Sequence, residues 1–373
     1  MKIAGMITEY NPFHKGHKYH IEKTREITGC DVLVAVMSGH FVQRGEPAVI
    51  DKWSRVEAAL ENGVDLVIEL PFAYAVQSAK QFAMASVELL SVAGVSDIVF
   101  GSETDNLEEL KLIASMPINV DAIKENLKSG VGYPKAYGLS AGAYFPNDIL
   151  GIAYIRAMKE KGITPHTIQR TNAYHGLELG EGFASASAIR NAKKNDEDFS
   201  DQTPLYDKMK DLPFIDWSIY YPFLRWKLLT QNKEDLSGLF LFDEGIENHL
   251  TKQAEVCDDW DAFIKKCVTR RYTKARIQRV CTHLLVHTRK SEMARMQAPT
   301  TLRILGFNDQ GRELLKELKE KEVRVASRFN QIPKYIRELE YRATLAYVTP
   351  LPSTLRNVIL AREIAGPVIK TKD

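Results

Sequence analysis

Cysteine is scarce: Cys30, Cys257, Cys267 and Cys281 are the only four in 373 residues, and none forms a CxxC pair. That excludes a disulfide-stapled scaffold and the common zinc and redox spacings, and it agrees with a reducing compartment. No apolar run approaches the roughly 18 residues that cross a bilayer, so no membrane association is expected. Met1-Lys2-Ile3-Ala4-Gly5 leads into a strand-like segment rather than a cleavable signal, so a soluble, cytoplasmic protein is expected. There is no internal repeat and no low-complexity tract. Net charge is nearly absent as well, +2 from 50 basic and 48 acidic residues. Hydrophobic residues at 45% and charged residues at 26% belong to an ordinary globular chain, and the length predicts two domains.

The near-neutral total hides an uneven distribution. Residues 262–303 hold eleven cations (Lys265, Lys266, Arg270, Arg271, Lys274, Arg276, Arg279, Arg289, Lys290, Arg295 and Arg303) against one acid, Glu292. Such a run points to a polyanionic partner. Earlier, residues 1–170 alternate between short Val- and Ile-rich runs (3–7, 32–37, 66–70 and 98–100) and stretches of helical spacing (16–28, 52–62, 80–93 and 148–161). Gly29, Gly63, Gly94 and Gly162 stand where helices stop. This rhythm predicts an α/β fold, a doubly wound Rossmann-like parallel sheet with ligands beyond the carboxyl ends of the strands. From about residue 198 the character changes: Pro204, Pro213 and Pro222 interrupt the chain, and past Ser237 helical spacing dominates with no convincing strand. The division is therefore a catalytic domain over 1–195 and a mainly helical, basic domain over 205–373.

The strongest chemical signal follows the first strand: Thr8-Glu9-Tyr10-Asn11-Pro12-Phe13-His14-Lys15-Gly16-His17-Lys18-Tyr19-His20. A buried strand ends, a turn with proline intervenes, and a helix begins near Gly16. Helix N-termini present unpaired N–H groups and about half a positive charge, which suits phosphate. Two imidazoles three residues apart can donate to the oxygens of a nucleotide reacting at its α-phosphorus, and the glycine between them lets a phosphate approach the backbone. HxxH without a nearby carboxylate or cysteine is a poor zinc set, so no metal ligand is assigned. No serine has the histidine and aspartate partners of a nucleophile. Glu9 and Asn11 also read as turn caps, Asn147 as the N-cap of the helix that follows it, and Gly101 as a permissive turn.

His14-Lys15-Gly16-His17 after strand one resembles the HxGH signature of the nucleotidylyltransferase superfamily. Ser185-Ala186-Ser187-Ala188-Ile189-Arg190 resembles its ISSTxxR element, with Ala186 and Ala188 diluting the hydroxyls. A longer set resembles the tRNA(Met) cytidine acetate ligase family over nearly the whole chain. It comprises Glu9 through His20, Met37-Ser38-Gly39, Gln43-Arg44-Gly45-Glu46-Pro47-Ala48, Phe100-Gly101-Ser102-Glu103 and Pro146-Asn147-Asp148-Ile149-Leu150-Gly151. It continues with Arg170 and Tyr174-His175, then Tyr272-Thr273-Lys274-Ala275-Arg276 and Arg303-Ile304-Leu305-Gly306-Phe307-Asn308. The resemblance implies a ligase that converts acetate and ATP, with Mg²⁺ on the phosphates, to acetyl-adenylate. The acetyl group would then pass to N4 of the wobble cytidine in the anticodon region of elongator tRNA(Met). It implies His14 and His17 as catalytic groups. It implies ATP contacts at Ile7, Thr8, Glu9, Tyr10, Asn11, Pro12, Phe13, His14, Gly16, His17, His20, Gly101, Asn147, Arg170, Ser185, Ser187 and Arg190.

The basic stretch has a readable geometry. Thr273 can cap a helix over 274–287 in which Ile277, Val280, Cys281 and Leu284 form an apolar stripe. Arg276, Arg279, His283, His287 and Lys290 then share a sector of about 80° on another face. Arg270, Arg271, Lys274, Arg276, Arg279 and Lys290 are the expected contacts to RNA phosphate. Two other classes stay open. One is an adenylyltransferase for a small phosphorylated cofactor precursor, which leaves the basic half without a task. The other is a non-catalytic RNA-binding protein on the same scaffold.

Overall fold

The computed structural model describes residues 1–117, 145–170 and 183–371; Tyr174 and His175 lie outside them. Five strands form the parallel part of the sheet: β1 (Ile3–Thr8), β2 (Val32–Ser38), β3 (Leu66–Leu70), β4 (Asp97–Ser102) and β5 (Thr164–Gln169). β2 and β3 are buried at every position, which is why they read as unbroken apolar runs: helices cover both faces of the sheet. α1 (Lys15–Thr28) and α2 (Lys52–Glu61) are the first two crossover helices, and α1 stops at Gly29, whose φ of 58° lets its N–H reach the Arg25 carbonyl. The doubly wound sheet expected from the sequence is present.

The strand order is β5-β4-β1-β2-β3, so the winding reverses at β1. β1 pairs with β2 over six residues but with β4 only at Ala4↔Asp97 and Gly5↔Ile98. Beyond those two pairs the β1–β4 ladder stops, at the carboxyl ends of these strands, the position at which doubly wound sheets take ligands.

The expectation of no strand past Ser237 is corrected. β6 (Leu302–Asn308) pairs antiparallel with β3, and β7 (Val325–Ala326) and β8 (Val368–Lys370) pair parallel with β6. Arg303 concealed β6, because a cation in the second position breaks its apolar run. In the fold that cation is buried between Glu69 and Glu363, and Lys52 Nζ lies 2.5 Å from Glu69 and 2.9 Å from Glu363. Removing one partner of such a cluster costs about 3–5 kcal/mol, because it strands a buried charge. Pro222 does not interrupt the chain either; it lies inside the helix Trp217–Thr230. Among the described residues no helix is long and apolar enough to cross a membrane.

Candidate active site

The turn after β1 is clamped from several sides. Arg55, fully buried on α2, donates Nη1 to the carbonyls of Glu9 at 2.6 Å and Ser38 at 3.2 Å, and Nη2 to that of Gly39. Asn11 Oδ1 accepts from the Val49 N–H at 2.8 Å, and the Thr203 hydroxyl donates to the Phe13 carbonyl at 2.6 Å. Tyr10 takes a left-handed φ of 50°, and its ring centroid stands 4.9 Å from those of Phe13 and His17. Glu9 Oε1 accepts from the Gln43 N–H at 2.7 Å, and burial pushes this carboxyl up from its ordinary value. Thr8 and the cis-linked Pro12 complete a turn that is buried around its ring cluster. Ile7, half-buried, sits at the end of β1.

His14 is the N-cap of α1. Its Nδ1 accepts from the Gly16 N–H at 3.0 Å, while His17 Nδ1 accepts from the His14 N–H at 3.2 Å, and the two ring centroids stand 3.8 Å apart. Burial, then the charges of Arg170 and Arg190, pushes His14 down to about 3. Burial, then His14, His20 and Arg170, holds His17 well below its usual range. Both rings are therefore neutral near pH 7, and because each Nδ1 accepts, each proton sits on Nε2. Each imidazole keeps one N–H to donate at the N-terminus of a helix.

Gly16 has a structural task beside the one expected. A Cβ there would meet His14 Cε1 at 2.8 Å and Nδ1 at 3.0 Å, so the missing side chain makes room for the cap ring. His20 is committed elsewhere: its Nε2 bonds to the Val99 carbonyl at 3.0 Å, beside the end of the β1–β4 ladder, and burial pushes it down to about 4. At Gly101 an added Cβ would meet Arg170 Cγ at 3.1 Å, so the bare backbone there makes room for the arginine side chain. The charge of that arginine adds to the depression of all three imidazoles.

Arg190 reaches the turn from the helix Ala186–Lys194. Its Nη1 donates to the Asn11 carbonyl at 2.6 Å and its Nη2 to Ser187 Oγ at 3.2 Å, and Nη2 lies 3.7 Å from Glu46 Oε2. Ser185 caps the same helix, its Oγ accepting from the Ala188 N–H at 3.0 Å. Asn147 is not a cap: Pro146 at the first helical position makes Phe145 the N-cap of Pro146–Met158. The Asn147 carboxamide donates to Glu103 Oε1 at 2.6 Å, and Glu103 Oε2 accepts from the Asp148 N–H at 3.1 Å. A groove of about 290 Å³ flanks the first turn of α1, lined by Phe13, His14, Lys15, Lys18, Asn62, Ser200, Asp201, Thr203 and Pro204.

Arg55, Glu46 and Glu103 position the site and were missed as individual residues. Arg55 had a signal: an arginine on the face of α2 that also carries Val56, Ala59 and Leu60 must find buried acceptors.

The helix Lys274–Val286 carries the expected Thr273 cap, and Ile277, Val280, Cys281 and Leu284 are fully buried. His283 is corrected: it lies in the core, its Nε2 bonded to the Val76 carbonyl at 3.0 Å. The cations are also less isolated than the sequence implied. Glu244 pairs with Arg271 at 3.2 Å and Arg276 at 3.4 Å, and Asp243 with Lys290 at 2.7 Å, both acids coming from outside the basic stretch. Arg270, Lys274 and Arg279 make no ion pair among the described residues. This helix touches the loop that reaches the site: Thr282 Oγ1 donates to the Gly45 carbonyl at 2.6 Å, and Gln278 Nε2 to Glu46 Oε1 at 3.2 Å.

Comparison with known proteins bears on this geometry. The family described as HIGH Nucleotidyl Transferase matches residues 1–358. A tRNA(Met) cytidine acetate ligase of Geobacillus sp. (strain WCH70) is 37% identical over 98% of this chain and 99% of its own. One of Caldicellulosiruptor saccharolyticus is 38% identical over 92% and 93%. The crystal structure of Thermotoga maritima TmcAL (apo, form I) superposes with a TM-score of 0.89 at 30% identity over all of both chains. The same protein bound with alpha-thio ATP gives 0.87.

Proposed function

The chain belongs to the HIGH nucleotidyl transferases and, among them, to the tRNA(Met) cytidine acetate ligases, and from that membership we propose how its residues work. It is an ATP-dependent ligase. A carboxylate oxygen of acetate attacks the α-phosphorus of ATP in line, the bond to the β-phosphate oxygen breaks, and pyrophosphate leaves acetyl-adenylate. N4 of the wobble cytidine of elongator tRNA(Met) then attacks the acetyl carbonyl, the amine loses a proton, and AMP departs. That amine is a poor nucleophile because its lone pair is delocalised into the ring, so acetate must be activated first. Unpaired anticodon bases reach the adenylate at low cost.

ATP lies across the carboxyl ends of β1 and β4 with its phosphates over α1. The Nε2–H groups of His14 and His17 donate to oxygens that gain charge as pyrophosphate leaves. Each such donor is worth roughly 3 kcal/mol, about a hundredfold in rate. Because both rings are neutral, they stabilise by donating hydrogen bonds and not as cations. Arg190, Ser185 and Ser187 serve the outer phosphates, and Arg170 with Gly101 and Asn147 lines the nucleoside side. Mg²⁺ belongs to the nucleotide in this scheme. Among the described residues no group of three or more His, Cys, Asp or Glu could hold a metal, and no step is assigned to the ion. Arg270, Lys274 and Arg279, without an ion pair among the described residues, take tRNA phosphate, with Arg271, Arg276 and Lys290 at the margin. We place the reaction in the cytoplasm, with the tRNA.

The observation that carries this reading is the pair of neutral imidazoles whose Nδ1 atoms are used internally and whose remaining protons stand at a helix N-terminus. The test is incubation with ATP, labelled acetate and unmodified tRNA(Met), followed by digestion to nucleosides. Label in acetylcytidine is expected. Label elsewhere, or transfer of AMP to a small phosphorylated acceptor instead, overturns it.

A further inference from the structure

The helix Trp217–Thr230 is apolar on two opposite faces. Trp217, Tyr220, Tyr221, Leu224 and Leu228 are buried, whereas Phe223, Trp226 and Leu229 are 39%, 64% and 43% exposed. At about 100° per residue the exposed three span roughly 120°, centred opposite the buried set. Large apolar side chains that point away from the core contribute nothing to its packing, and a contiguous stripe of them marks a contact surface.

One border of the stripe is cationic. Lys227, one turn past Phe223, donates to the carbonyls of Leu284 at 2.9 Å and Leu285 at 3.0 Å, at the end of the basic helix. His287 and Arg289 stand 3.2 Å apart just beyond it, and Arg342 is nearby, paired with Glu292 at 2.7 Å. The other border is balanced, Arg225 pairing with Asp258 at 3.1 Å. The stripe thus lies beside the C-terminal end of the basic helix, and its charged border favours a polyanion over a second apolar protein surface. A nucleic acid whose phosphates lie on cations can turn an unpaired base onto an adjacent aromatic ring.

We propose that Trp226, flanked by Phe223, is a stacking platform for an unpaired base of the bound RNA. This rests on the tRNA reading above. Base–aromatic stacking changes affinity by about 5- to 150-fold per base and neutralises no phosphate, so it leaves the salt dependence of binding untouched.

Trp53, Trp217 and Trp260 are 4%, 3% and 6% exposed, so tryptophan emission that acrylamide quenches reports on Trp226. Saturating tRNA is expected to shield that emission. Trp226→Ala should lower tRNA affinity by about 5- to 150-fold, with an unchanged melting midpoint and an unchanged slope of log affinity against log salt; Trp226→Phe should restore most of it. Affinity unchanged in Trp226→Ala overturns the platform, as does a reduced salt slope. An indole already shielded in free protein that sediments as a dimer, with the dimer lost in Trp226→Ala, assigns the face to a second copy instead. Wild-type protein that binds no tRNA overturns both the platform and the functional reading, whereas wild-type binding matched by Trp226→Ala overturns the platform alone.

Discussion

Gly16→Ala separates the fold from the chemistry. The added Cβ would lie 2.8 Å from His14 Cε1 and 3.0 Å from its Nδ1, so the ring must swing off the start of α1. For the fold two effects oppose each other. Losing the His14 cap on the Gly16 N–H costs about 1 kcal/mol, and alanine in place of glycine inside a helix returns about 1 kcal/mol. The melting midpoint should therefore stay within about 2 to 4 °C of wild type. For the chemistry nothing offsets the displacement: an Nε2–H moved out of reach of the phosphate forfeits roughly 3 kcal/mol, about a hundredfold in rate. The assay is acetate-dependent exchange of labelled pyrophosphate into ATP, with kcat and the KM for ATP measured separately. We expect kcat and kcat/KM to fall together with KM nearly constant, the signature of a contact made only in the transition state. A variant with wild-type kcat and a raised KM would show that the glycine admits phosphate and does not seat the ring.

The depressed histidines give two pH signatures. With His14 near 3 and His17 also far below 6.5, the exchange reaction should show no inflection near pH 6.5; an inflection there that disappears in His14→Asn contradicts their neutrality. Unfolded imidazoles take up protons below about 6.5 while the folded ones stay neutral, so each depressed histidine removes up to about 1.4 kcal/mol of stability per pH unit on acidification. His14, His17, His20 and His283 act in this direction and Glu340, held up to about 8 by burial and Glu69, opposes them. Denaturant midpoints should thus be lower at pH 5 than at pH 7, and equal midpoints would contradict the shifts. Gly45→Ala should destabilise by about 2–4 kcal/mol, because its φ is 86° and a Cβ would stand 2.6 Å from the Arg279 backbone nitrogen; an unchanged melting curve contradicts this. Lys274→Ala should reduce the salt slope of tRNA binding by about 0.7–0.9, one phosphate contact, whereas an unchanged slope removes Lys274 from the interface.

The parallel sheet and the seat of the imidazoles were legible because they depend on local pattern: buried Val and Ile runs, glycine stops, and a turn that opens a helix. What stayed hidden depends on partners distant in sequence. Arg303 disguised a strand until Glu69 and Glu363 were seen beside it. Asp243 and Glu244 neutralise cations that looked unopposed because composition was counted along the chain and not through space. His283 shares an angular sector with Arg279, yet the neighbouring Val76 and Phe72 make that edge of the helix core. The tasks of Gly16 and Gly101 were legible as a need for space, but not whose side chain fills it.

On the proposed mechanism two neutral imidazoles grip the reacting phosphates from the first turn of α1, and a crystal of the protein with a non-hydrolysable ATP analogue would show whether they do. We expect the α-phosphate within hydrogen-bonding distance of both His14 Nε2 and His17 Nε2, with each Nδ1 still accepting its backbone N–H. A triphosphate bound away from this turn, or histidine rings flipped to present Nδ1, would contradict it.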